Sequence, residues 1–207
     1  MLWGARVFVF EAKNYSLPSG NARSEFHFLQ ETASAMKQVT RLCEGLKRYP
    51  EAFREAFGED LADKEVIAAV LFAAPFSLGL VGEVFVYDGS ALRRFFEGPA
   101  VNLLAIGPPG SVAARVPFES LWSGSSPSSD DLLKQMEDPF QVRFLGAEYQ
   151  VIERTLQLSK DAVVSAGWAT RLPGSLERIL AKAGTQMADI LEQLDALAPE
   201  SEPSHSN

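Results

Sequence analysis

Cysteine is nearly absent from this chain of 207 residues, with Cys43 the single example. That excludes an intramolecular disulfide framework and any multi-cysteine zinc site. Histidine is almost as scarce, since His27 and His205 are the only two, so a histidine-rich metal centre is not expected. A basic excess is missing too: 19 Lys and Arg face 27 Asp and Glu, for a net charge of −8. Phosphate neutralisation by basic side chains supplies most non-specific affinity for nucleic acid, so the chain as a whole is a poor polyanion binder. No charged segment leads into a short apolar run and a small-residue cleavage site, so no signal peptide is read and a reducing, cytoplasmic location is expected. The uncharged run from Val66 to Gly82 has 17 positions, which only touches the lower edge of a membrane-spanning helix. Pro75 and Ser77 divide it into Val66–Ala74 and Leu78–Gly82. The first piece reads as a buried strand, and no membrane partner is expected.

What is present is enough for a core. A hydrophobic fraction of 46% with 14 Phe is far from the composition of a disordered chain. The length suits one domain with an appendage, or two small ones. Charge is unevenly spread. Residues 1–60 carry eight basic and eight acidic side chains, while residues 61–207 carry eleven and nineteen and so hold the whole −8. Contact with DNA is therefore expected through residues 1–60, and the acidic C-terminal half is the expected surface for a protein partner.

The run Ala5–Asn14 alternates Val and Phe and predicts a strand. Trp3-Gly4 before it reads as a turn, so Met1 and Leu2 read as the end of an earlier strand. From Ser24, a plausible N-cap, helical spacing takes over: Leu29, Ala33, Met36, Val39, Cys43 and Leu46 form an apolar stripe that ends at Tyr49-Pro50. Cys43 lies on that stripe as a small core residue. Pro50–Phe57 predicts a short helix closed by Gly58. Val84–Tyr87 reads as a strand closed by an Asp88-Gly89 turn, followed by a helix capped by Ser90. Val101–Ile106 and Tyr149–Leu158 read as further strands, Ser120–Asp131 as a serine-rich link, and Leu176–Leu194 as an amphipathic helix before a polar tail at 198–207.

Two charged residues close the first long strand. Side chains alternate across a strand, so Glu11 and Lys13 share a face, about 7 Å apart at the ~3.3 Å rise per residue. A plain ion pair at a strand end is one reading. The other is metal-assisted phosphodiester hydrolysis, in which a carboxylate holds a hard cation and an ammonium steadies the attacking water and the developing charge. The segment Val7-Phe8-Val9-Phe10-Glu11-Ala12-Lys13-Asn14-Tyr15 resembles the Glu-x-Lys strand of the restriction-endonuclease-like nuclease superfamily, and Asn14 looks most like its nuclease-related-domain branch. The resemblance covers roughly residues 1–106 in layout and three or four residues in detail.

That resemblance implies Glu11 and Lys13 as catalytic residues, Glu11 as a ligand of Mg²⁺, and DNA as substrate for endo- or exonucleolytic cleavage. It also implies a second acidic ligand on a preceding strand. Only ten residues precede Glu11 and none is acidic, so the chain is expected to be the C-terminal part of a longer product or a degenerate relative, and a poor catalyst as it stands. Some branches place a Gln on the following helix, for which Gln30 and Gln38 are available; a solvated glutamine is the plainer reading of each. Lys37, Arg41 and Arg48 form a basic ridge interrupted by Glu44; Lys37 and Arg41 are candidate phosphate contacts together with Asn14, or simply solvated charge. His27, between two phenylalanines, reads as structural, and Trp122 and Trp168 as packing or linker residues.

The resulting expectation is an α/β chain: an incomplete restriction-endonuclease-like mixed sheet flanked by helices over 1–107, a linker at 108–129, a C-terminal α/β or helical module at 130–197 and a disordered tail at 198–207. Its expected function is that of a nuclease-like protein related to metal-dependent phosphodiester hydrolases. The alternative is a non-enzymatic interaction scaffold that uses the acidic C-terminal half.

Overall fold

The computed structural model describes residues 1–18, 20–105, 114–157 and 163–173, with the isolated positions 178, 181 and 192. The helix expected over Leu176–Leu194, save those isolated positions, and the tail at 198–207 lie outside the described residues. Two compact units divide the chain: Met1–Pro99 with Leu121–Val142, and Ala100–Ser120 with Arg143–Asn207.

The first unit is a mixed α/β layer structure. Its strands are β1 (Leu2–Trp3), β2 (Arg6–Lys13), β3 (Glu65–Phe72), β4 (Gly79–Val81) and β5 (Val84–Asp88), in the sheet order β1-β2-β3-β5-β4. β2, β3 and β5 run parallel at the centre, and β1 and β4 are antiparallel edges. Parallel neighbours need crossover connections. Between β2 and β3 that connection is the long helix α1 (Ala22–Arg48) followed by α2 (Pro50–Phe57). The register places Lys13, Phe72 and Asp88 level with one another, so the three parallel strands finish on one line.

Central strands covered on both faces lose the in–out alternation of an exposed sheet. Accordingly all five residues of β5 are buried, as are Val7 and Phe8 on β2. On one face, Phe28, Ala35, Val39 and Cys43 of α1 pack on Ala68, Val70 and Phe72 of β3 and on Val84 and Val86 of β5. Phe53 of α2 joins Val7 and Leu61 in a second cluster. Alternation turns Phe85 and Tyr87 the other way, and helices α3 (Gly89–Glu97) and α4 (Ser129–Glu137) pack against β5.

Several expectations need correction. The N-cap of α1 is Asn21, whose side chain accepts from the Ser24 amide at 2.9 Å, and Ser24 sits in the first turn. The buried stripe of α1 is Phe28, Thr32, Ala35, Val39 and Cys43. Leu29 is 61% exposed and Ala33 is exposed as well. Thr32 can join the core because its hydroxyl donates to the Phe28 carbonyl at 2.8 Å. With 3.6 residues per turn, the exchange rotates the buried face by roughly 45° from the one read off apolar spacing. Asp88 caps α3, a role expected of Ser90.

The serine-rich stretch is structured in part. Leu121 is buried and its amide donates to the Pro99 carbonyl at 2.7 Å. Ser128 and Asp131 form a reciprocal capping box on α4. Serine there is cap chemistry rather than linker chemistry, and Leu121–Val142 belongs with the first unit.

The second unit contains two antiparallel hairpins, β6 (Ala100–Ala105) with β7 (Ala114–Ser120) and β8 (Tyr149–Gln157) with β9 (Val163–Arg171). A further helix, α5 (Phe140–Glu148), spans the boundary at Val142. Among the described residues no helix is long and apolar enough to cross a membrane.

Candidate functional site at the end of β2

In open α/β sheets, ligand sites favour the carboxyl ends of parallel strands, where the crossovers leave. Glu11 and Lys13 sit at that end of β2, on the same face as pleating requires. The Lys13 Nζ lies 2.7 Å from Glu11 Oε1, and the two side chains are only 19% and 15% exposed. Nζ also donates to Gln38 Oε1 at 3.3 Å. Next to them the Tyr15 hydroxyl donates to Glu31 Oε2 at 2.9 Å. Glu31 and Gln38 are seven residues apart, two helical turns, and so share one flank of α1. An ammonium has three donors; here one meets Glu11 on the same strand and one reaches across to Gln38 of α1.

The plainer sequence reading leaves Gln38 solvated, away from the buried stripe. The rotated stripe moves it to the border of the sheet, within reach of Lys13. Tyr15 and Glu31 were not singled out at all. Their signal was a phenol two places beyond Lys13 and a carboxylate two turns before Gln38, visible only once α1 is known to lie over β2.

The ion pair holds the Lys13 ammonium above the ordinary lysine value of 10.5: the Glu11 hydrogen bond acts first, burial opposes it, and the charges of Glu11 and Glu31 add to the rise. The Tyr15 phenol is raised as well, first because it donates to Glu31 and then by burial. A basic group whose pKa rises on folding contributes stability that is complete below 10.5 and is lost as pH climbs through the folded value. In alkaline acetylation, Lys13 is therefore expected to react more slowly than the exposed Lys47, and Glu11→Gln is expected to erase the difference. Equal rates in the wild-type chain would remove the ion pair from the solution structure.

The cluster offers a cation two carboxylates, each already engaged within it through one oxygen. Mg²⁺ takes near-octahedral oxygen ligands, one or two of them carboxylates. Here Glu11 Oε1 already faces the Lys13 ammonium and Glu31 Oε2 accepts from Tyr15. Among the described residues there is no group of three or more His, Cys, Asp or Glu able to hold a metal ion.

No family model, curated protein or solved structure matches this chain.

The remaining candidates lie apart from the cluster. Asn14 follows β2 and is exposed, and Gln30 is exposed on the solvent side of α1. Lys37 and Arg41 line a groove of about 720 Å³ between α1 and the β4–β5 turn, shared with Glu44 and Glu83. On the helical wheel this groove and Gln38 fall on opposite flanks of the buried stripe. The fold does not bring the basic ridge to Glu11. His27 is exposed, with its ring against Phe26 at 6.1 Å.

Proposed function

We propose that this chain is a nuclease-like α/β protein of the restriction-endonuclease type that binds duplex DNA at the end of β2 and does not cut it. The observation that carries the reading is the Glu11–Lys13 pair, at 2.7 Å, on a central strand with Gln38 of the following helix on the same ammonium. The antiparallel β1, the parallel return through α1 to β3 and the carboxyl-end position of the pair support it further.

Hydrolysis of a phosphodiester asks for an activated water and for compensation of charge developing on the phosphoryl oxygens. Lys13 can face a phosphate as a point charge, but Glu11 stands alone as a carboxylate on β2 and is tied to that same lysine. The pair suits recognition of the backbone better than attack on it.

Purified chain mixed with duplex DNA at low ionic strength is expected to bind it, with Lys13→Ala weakening the complex. In Mg²⁺ or Mn²⁺ the DNA is expected to stay intact. Cleavage that vanishes in Glu11→Ala would overturn the assignment of an uncut substrate. Absence of binding at low salt would transfer the fold to the second reading, an interaction scaffold. That reading draws on the charge distribution, because residues 61–207 carry the entire −8.

A further inference from the structure

Helix α1 has a second, largely apolar line whose N-terminal part stays exposed among the described residues, while Met36 packs partly against the core. Phe26, Leu29, Ala33, Met36 and Thr40 recur at alternating intervals of three and four, the spacing of a helix–helix seam. Phe26 is 57% exposed and Leu29 61%, although both stand among the largest side chains of the helix. Two turns further along the same flank, Met36 and Thr40 become one wall of the groove whose other wall is Val81–Val84. One end of the line thus protrudes and the other end is hollow.

We propose that two copies of this chain pair through α1, antiparallel about a two-fold axis between Ala33 and Met36. That operation lays Leu29 of each copy over Thr40 of the other, at the mouth of the groove lined by Val81 and Val84, with Phe26 about one turn further out along the partner helix. A two-fold interface must be self-complementary, and the flanking positions meet that demand. Arg23, Gln30, Lys37 and Glu44 fall at equivalent places in successive repeats of the seam. In the antiparallel pairing Arg23 faces Glu44 of the second copy and Gln30 faces Lys37, each contact occurring twice. A parallel pairing would set these residues against Thr32 and Val39, which are buried in their own subunit.

Charge favours a second copy over an acidic or basic partner. The chain carries −8, yet residues 1–60 balance eight cations with eight anions, so this is where two copies approach with least repulsion. The pairing does not depend on the nuclease-like reading.

Sedimentation equilibrium of the full chain is expected to give twice the 22.6 kDa monomer mass at micromolar concentration. Phe26→Glu with Leu29→Glu is expected to return the monomer with unchanged circular dichroism, both side chains being exposed. Glu44→Arg sets two arginines face to face and should raise the dissociation constant by about tenfold or more. Adding Arg23→Glu to that variant should restore the pair. A wild-type chain that stays monomeric overturns the proposal. So does a dimer that survives Phe26→Glu with Leu29→Glu, or one that the charge exchange fails to restore.

Discussion

Phe72→Ala is expected to lower the free energy of unfolding by about 3–5 kcal/mol, the range for deleting a buried phenyl ring. Phe72 ends β3 with no solvent exposure, and its ring centroid lies 5.5 Å from those of Phe28 and Phe76 and 6.1 Å from that of Tyr15. The lost transfer energy is therefore joined by the cost of a cavity walled by three other rings, none of which can close the gap alone. Phe28 is the first buried residue of α1, so the gap opens where the helix is seated on the sheet. Tyr15 loses the ring beneath it, and its hydrogen bond to Glu31 should loosen with it. Guanidinium denaturation at unchanged slope measures the loss. Phe72→Leu, which keeps most of the volume, should lose only part of it. A change for Phe72→Ala below about 1 kcal/mol, the ordinary size of a single substitution, would mean that the ring is not enclosed.

Asp88→Ala is expected to cost about 2–3 kcal/mol, more than an exposed helix cap. Asp88 is 2% exposed at the junction of β5 and α3. Its Oδ1 accepts from the Ser90 amide at 2.7 Å and its Oδ2 from the Ser90 hydroxyl at 2.9 Å. Its own amide donates to Ser77 Oγ at 2.9 Å. Alanine leaves the Ser90 amide and hydroxyl without these acceptors, and the junction has little freedom to adjust: a Cβ added at the adjacent Gly89 would stand 3.0 Å from the Phe72 carbonyl oxygen. Asp88→Asn keeps an acceptor for the Ser90 amide and should fall between wild type and alanine. In a double-mutant cycle, Ser90→Ala should cost much less on the Asp88→Ala background than alone, since its hydroxyl contact is already gone. Additive losses would separate the two residues.

Much of the first unit could be read from residue order because local chemistry and tertiary position agree there. The Val–Phe alternation of β2, the Pro50 start and Gly58 stop of α2, and the apolar run of β3 each have a local cause that survives folding. The misreadings also have causes. Apolar spacing alone counted Leu29 and Ala33 as buried and passed over Thr32, whose hydroxyl is satisfied inside its own helix. That error turned the helix and hid the approach of Gln38 to Lys13. Ser90 was preferred to Asp88 as a cap because the aspartate also ends a strand, and one residue serves both elements. Serines at 120–131 suggested a link, although Ser128 belongs to a cap. The insertion of β5 between β3 and β4 is a long-range choice with no local signature. At the candidate site, Glu11 and Lys13 were legible as a strand-end pair, whereas Tyr15 and Glu31 required the register of α1 on the sheet.

Leu121 returns to within one hydrogen bond of Pro99, where the chain had left the first unit. The twenty-odd positions between them depart from and rejoin the first unit at a single closed neck. A detour with so narrow a base leaves its host's backbone path indifferent to how long the excursion is or what it carries. Lengthening, shortening or exchanging the hairpin alters no crossover of the five-stranded sheet. The part of that excursion on which the path of the host depends is the neck at Pro99 and Leu121, rather than either hairpin strand.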